Sequence, residues 1–142
     1  MVSAVVRFQV EGFHRWATAS GKRAYLAHPH RHLFHVEVRV EVFHNDRDVE
    51  FHDLLEFCRE RMGAGDFGGD SCEALAQRLG QQVVTRWPGR AVQVAVFEDG
   101  EMGAQVLLGG HDFALKGDNN RAAVVQGVHV PGLVDFAVLN TV

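Results

Sequence analysis

The run His28-Pro29-His30-Arg31-His32 places three imidazoles at alternate positions. In an extended chain, residues two apart share a face, so these rings point the same way. Their parity continues through Phe34, Val36 and Val38, the side that the hydrophobic pattern assigns to the core. Imidazoles on an apolar face need partners, because a buried polar group left unsatisfied costs about 1–3 kcal/mol. A shared divalent cation satisfies several at once. Two strand histidines at i and i+2, joined by one from a distant segment, make a three-ligand zinc site of the catalytic type, with a position left for substrate. The bland alternative is a solvated or hydrogen-bonded cluster at a strand start. His14 is the natural third ligand. It ends the alternating segment of Val6, Phe8 and Val10 and shares their parity, although alone it reads as an ordinary strand-end histidine. If the two strands pair antiparallel, the end of the first lies beside the start of the second. The expected metal set is therefore His14, His30 and His32, with zinc as the ion.

Glu98 is the next anomaly. It continues the parity of Val92, Val94 and Val96, so a carboxylate stands where the pattern asks for an apolar residue. Such a carboxylate is a functional-site candidate, and its two oxygens can accept paired hydrogen bonds from the N–H and NH₂ edge of a pterin or guanine. Equally, Glu98-Asp99-Gly100 reads as a polar turn at a strand end. Glu73 is a second candidate for substrate binding, with a competing reading as the far half of a capping box begun by Asp70. Cys72 opens a predicted helix, where the dipole can activate a thiol, but it also lies on that helix's apolar stripe. For proton transfer the candidates are His28, His52 and Cys72. His35 and His44 read as solvated surface.

These residues need a scaffold. Val6, Phe8 and Val10 alternate with polar neighbours as a first strand, and Phe34 to Val42 as a longer second one. Asn45, Asp46 and Asp48 then supply helix-start chemistry, and Phe51, Leu54, Leu55, Cys58 and Met62 recur at helical spacing, predicting a helix over about 49–62. Gly63–Gly69 ends it. A second helix begins near Asp70, its stripe running through Cys72, Leu75, Leu79, Val83 and Trp87 until Pro88-Gly89. Val92, Val94 and Val96 form a third strand. Asp99-Gly100 signals a hairpin into a fourth over Ala104–Leu108. Beyond Gly109 a turn at Gly117–Asn120 separates two further apolar stretches, Ala122–Val130 and Val134–Leu139. The expectation is one α+β domain over 1–142, order ββααββ plus extra C-terminal strands. Its four-stranded antiparallel sheet carries both helices on one face.

The composition narrows the function classes. A chain of 142 residues fits one domain able to bury a core. Its net charge of −4 argues against a nucleic-acid surface, which is normally basic. No apolar run approaches the roughly 20 residues of a membrane helix, and the first residues are too polar for a signal peptide. The two cysteines carry no framework spacing, which points to a reducing cytoplasm. Exposed edges of a four-stranded sheet need covering, so a homo-oligomer is expected.

Phe13-His14, with His30-Arg31-His32-Leu33-Phe34 running into Val36-Glu37-Val38, resembles the zinc motif of the 6-pyruvoyl and 6-carboxy tetrahydropterin synthase family. Val49-Glu50-Phe51 with Leu54 looks like that family's Val-x-Asp-Phe helix entry. Asp70-Ser71-Cys72-Glu73 is similar to its Pro-Thr-Ser-Glu helix start. Val94-Ala95-Val96-Phe97-Glu98 is similar to the strand that ends in its pterin-anchoring glutamate. The matches run in family order over about Val5–Val106. The resemblance implies the tunnelling fold, over a core of about 5–108 with 109–142 as an added segment. In that fold subunits join edge to edge into a barrel, commonly trimers stacked into hexamers, with sites at subunit interfaces. It also implies zinc, a pterin- or purine-like small-molecule substrate held by glutamate, and a transformation of the 7,8-dihydroneopterin triphosphate type.

The sequence departs from that pattern where the family keeps its proton relay. The catalytic cysteine's place, four residues before the first histidine of His-x-His, holds Leu26. The Asp-His pair expected between the helices has no counterpart in the short glycine-rich link, and Arg31 replaces the glycine between the zinc histidines. Without a thiolate–imidazole relay the family's proton abstractions lack their base. Two readings follow: a zinc enzyme with a non-standard relay, or a binding or scaffold protein that keeps the fold without catalysis.

Overall fold

The computed structural model describes residues 1–109. The apolar stretches expected over 122–130 and 134–139, with the turn before them, lie outside the described residues. Period-two alternation yields β1 (Val2–His14) and β2 (His30–Val42), whose inward residues Ala4, Val6, Phe8, Phe34, Val36, Val38 and Val40 are all buried. A 3-10 helix over Gly21–Ala27 connects them; its short sequence carries no periodic apolar pattern that announces it. Then follow α1 (Phe51–Met62), β3 (Gly65–Asp66), α2 (Cys72–Arg86), β4 (Ala91–Glu98) and β5 (Met102–Gly109).

The α+β expectation holds, with corrections. The sheet has five strands in the order β3-β1-β2-β4-β5, not four, and it is mixed: β3 pairs parallel to β1 at Gly12 and Phe13. Two residues are too few for alternation to reveal. The capping box expected of Asp70 and Glu73 does not form. Ser71 caps α2 instead, its hydroxyl accepting from the Ala74 N–H at 3.1 Å, while Asp70 pairs with Arg78 at 2.6 Å. α1 starts two residues later than expected, capped by Glu50, whose carboxylate accepts from the Asp53 N–H at 3.0 Å. Phe51, placed on the apolar stripe of α1, is instead 60% exposed at the first residue of the helix.

The helices pack on the inward face. Leu54 and Cys58 of α1, with Leu75, Leu79 and Val83 of α2, join Val92, Val94, Val96, Val106 and Leu108 of the sheet in one buried cluster. α2 approaches β5 so closely that a Cβ at Gly80 would sit 2.6 Å from Leu108 Cδ1. At the far end from the histidines, Arg90 donates to both oxygens of Asp48 and to the Glu41 carbonyl, tying the entry of α1 to the start of β4. Those hydrogen bonds from Arg90 hold the Asp48 carboxyl down at about 2.

Candidate metal centre

The register of β1 against β2 sets His14 opposite His30 and Gly12 opposite His32. All three imidazoles therefore stand on the inward face at one end of the sheet. Ring centroids lie 4.7 Å apart for His14 and His30, 5.1 Å for His14 and His32, and 4.9 Å for His30 and His32, with the last two pairs close to perpendicular and the first at 69°. Phe34 closes the apolar side beneath them, edge to face with His14 at 5.2 Å and His32 at 5.6 Å. Gly12 lets Phe67 cover this corner: a Cβ there would lie 2.3 Å from the Phe67 ring. One ligand atom from each histidine falls within 4.8 Å of the others, close enough to hold a metal ion.

The outer nitrogens explain the orientation. His14 Nδ1 meets the Asp70 carbonyl at 2.9 Å, His30 Nδ1 the His28 carbonyl at 2.8 Å, and His32 Nδ1 an Asp99 carboxylate oxygen at 2.7 Å. Carbonyl oxygens only accept, and so does an ionised carboxylate, so each Nδ1 donates and Nε2 is the nitrogen that each ring keeps for another partner. Backbone placement makes this possible. The glycine-rich link lies along the end of β1, with Phe67 N–H donating to the Phe13 carbonyl at 2.7 Å and Arg15 N–H to Gly68 at 2.9 Å. That contact carries Asp70 to His14.

Glu98 stands on the other side of these nitrogens. Its register partner on β2 is Phe34, which brings Oε2 to 3.0 Å from His14 Nε2 and Oε1 to 3.6 Å from His32 Nε2. The longer distance is beyond hydrogen-bond reach, so His32 Nε2 is buried without a partner. A proton on His14 Nε2 would pair with Glu98 at 3.0 Å, whereas His32 Nε2, buried and without a hydrogen-bond partner, is the atom that a metal ion would satisfy. Three imidazoles this close can hold a metal ion, and Nδ1–H bonds to carbonyl and carboxylate are the usual outer support of metal-bound histidine. The residues fit the group.

His14 and His30 open onto a cavity of about 520 Å³, lined also by Trp16, Leu26, Cys72, Glu73 and Glu98, while His32 lies behind them. The Trp16 backbone N–H donates to the Leu26 carbonyl at 2.8 Å, and its indole Nε1–H donates to the Thr18 hydroxyl at 3.0 Å. The Cys72 thiol points at Glu98 Oε2, 3.9 Å away. Burial pushes that thiol up to about 12, and the charges of Glu98 and Glu73 add to the rise. The helix-dipole activation considered for Cys72 is thus outweighed by desolvation and two carboxylates. Glu73 lines the cavity from the first turn of α2, exposed.

The other two proton-transfer candidates are not brought to the cavity by their rings. His28 is exposed and contributes its carbonyl rather than its imidazole. His52 lies near Val2 and Val42, at the opposite end of the β1–β2 pair, and bonds Glu50 at 3.0 Å. Its hydrogen bond to that carboxylate raises its pKa, a surface effect unconnected with the histidine cluster. Sequence reasoning missed Asp99, read there only as a turn residue, and the apolar cavity wall of Trp16 and Leu26. Asp99's carboxyl is held below its usual range, first by the His32 hydrogen bond and then by the Leu33 N–H.

No protein-family model matches this chain, and no curated protein matches it. Class and function therefore rest on the site.

Proposed function

We propose that the protein is a zinc-dependent enzyme of the 6-pyruvoyl/6-carboxy tetrahydropterin synthase type. Its substrate is a pterin, a deazapurine precursor or a related nucleotide, handled without the family's usual relay. One observation carries the reading: three histidines, each held by a bond at Nδ1, come within reach of one ion beside the strand-end carboxylate Glu98, and two of them, His14 and His30, line a cavity of about 520 Å³. When bound, zinc supplies Lewis acidity to a substrate oxygen. The chain's own groups do the rest. Trp16 and Leu26 offer an apolar wall for a planar ring, and Glu98 and Glu73 offer acceptors for its N–H edge. The Cys72 thiol, protonated at neutral pH, can donate a proton but is not a thiolate base. Zinc content and turnover of 7,8-dihydroneopterin triphosphate, compared between wild type and His30→Ala, test this. Loss of both together is expected, and full turnover without metal contradicts it.

A binding protein without catalysis is the second reading, favoured by Leu26 on the cavity wall where the resemblance asks for a cysteine. Mass spectrometry of a co-purified small molecule, with no turnover of it, would select that reading. Either version calls for self-association. β1 pairs with β3 over two residues only, so among the described residues most of its outer edge is unpaired.

A further inference from the structure

The three imidazoles differ in what holds them. His14 and His30 lean on backbone carbonyls, which no substitution removes. His32 leans on a side chain: Asp99 Oδ2 accepts from Nδ1 at 2.7 Å, and Oδ1 of the same carboxylate accepts from the Leu33 N–H at 3.0 Å. Both oxygens are thus committed to β2. The turn that presents them is tied to β2 as well, since the Asp99 N–H donates to the Leu33 carbonyl at 2.8 Å. Asp99 has φ 54° and Gly100 φ 74°, the left-handed pair that a tight hairpin turn requires. Aspartate tolerates that conformation better than most side chains, while glycine adopts it freely. The turn alone would accept either residue; what distinguishes this aspartate is that both its oxygens are engaged by His32 and Leu33.

We propose that Asp99 is a positioning residue for the metal, which fixes His32 in the Nδ1–H form, aims its Nε2 toward His14 and His30, and strengthens that nitrogen as a donor. The proposal rests on the metal-centre reading and adds that the β4–β5 turn sets the affinity of the site. A carboxylate behind a metal-bound histidine makes the ring more basic than a carbonyl does, and losing such a partner costs about 10–100-fold in affinity. Asp99→Asn keeps a side chain suited to the left-handed backbone but has one acceptor oxygen for two donors and no charge. Asp99→Gly removes both acceptors while relaxing the turn.

The test is a competitive titration of Zn²⁺ with a chromophoric chelator, on the full chain, for wild type, Asp99→Asn, Asp99→Gly and Glu101→Gln. Glu101 shares the turn and lies outside the cluster, so Glu101→Gln should bind as wild type. Asp99→Asn should bind about 10–100-fold more weakly, and Asp99→Gly at least as weakly. Long-range ¹H–¹⁵N spectra of the apo-protein give a second readout that turn stability does not move. His32 should be Nδ1–H in wild type and a tautomer mixture in Asp99→Gly. Equal Zn²⁺ affinity in all four proteins, or an unchanged His32 tautomer in Asp99→Gly, overturns the role of Asp99 and leaves the metal site standing. Wild type that binds no Zn²⁺ overturns both.

Discussion

At the scale of single residues, desolvation decides the chemistry of the two cysteines. Cys58 is fully buried against α2 and the sheet, and burial pushes its thiol from 9.0 to about 12. Cys72 is raised to about the same value. Each thiol ionises earlier in the unfolded chain than in the folded one. The resulting stability is complete below about pH 9 and is lost as pH rises toward about 12. Urea unfolding of wild type should therefore weaken steeply between pH 9 and 11. A Cys58→Ala variant, less stable at pH 7, should show a shallower alkaline loss; parallel curves would contradict the assignment. The histidines were legible in the sequence for a physical reason. Period-two alternation fixes the face of a strand residue, and antiparallel pairing fixes which ends meet, so His14, His30 and His32 could be placed together before any coordinates. Their supports were not legible. The carbonyls of His28 and Asp70 have no residue identity to read, and Asp99 reaches His32 only through a turn conformation set by positive φ at two positions.

Among the elements, the β4–β5 hairpin and the α2–β5 contact each leave a glycine no room for a side chain. A Cβ at Gly103 would meet the Val96 carbonyl oxygen at 1.9 Å and Phe97 Cα at 2.6 Å, both backbone, so β5 would have to move off β4. At Gly80 the obstacle is the tip of the Leu108 side chain, which can rotate. Overpacking there costs about 1–3 kcal/mol, against roughly 1 kcal/mol gained from replacing glycine inside a helix. Gly80→Ala should therefore lose at most about 2 kcal/mol in chemical denaturation, and Gly103→Ala should lose more. The reverse order would contradict this packing. Both α-helices were legible from their apolar stripes, whereas their starts were displaced. Ser71 caps α2, while the Asp70 side chain pairs with Arg78 and its carbonyl accepts from His14. β3 and the 3-10 helix leave no pattern to find, since two and seven residues are too short to show a period.

For the whole molecule, a mixed five-stranded sheet backed by two α-helices leaves one end of β1 and β2 to hold the cluster and leaves strand edges unpaired among the described residues. No helix among those residues is long and apolar enough to cross a membrane. Sedimentation of the purified chain should give a species larger than one subunit, and a monomer at micromolar concentration would count against edge-to-edge association. The metal is the more direct question, because everything proposed for the cavity depends on it. Elemental analysis of the chain, purified under metal-replete conditions, should find about one zinc per subunit in wild type and none in the combined His14→Ala, His30→Ala, His32→Ala variant. Wild type without a stoichiometric metal, or a triple variant that retains it, would contradict the account.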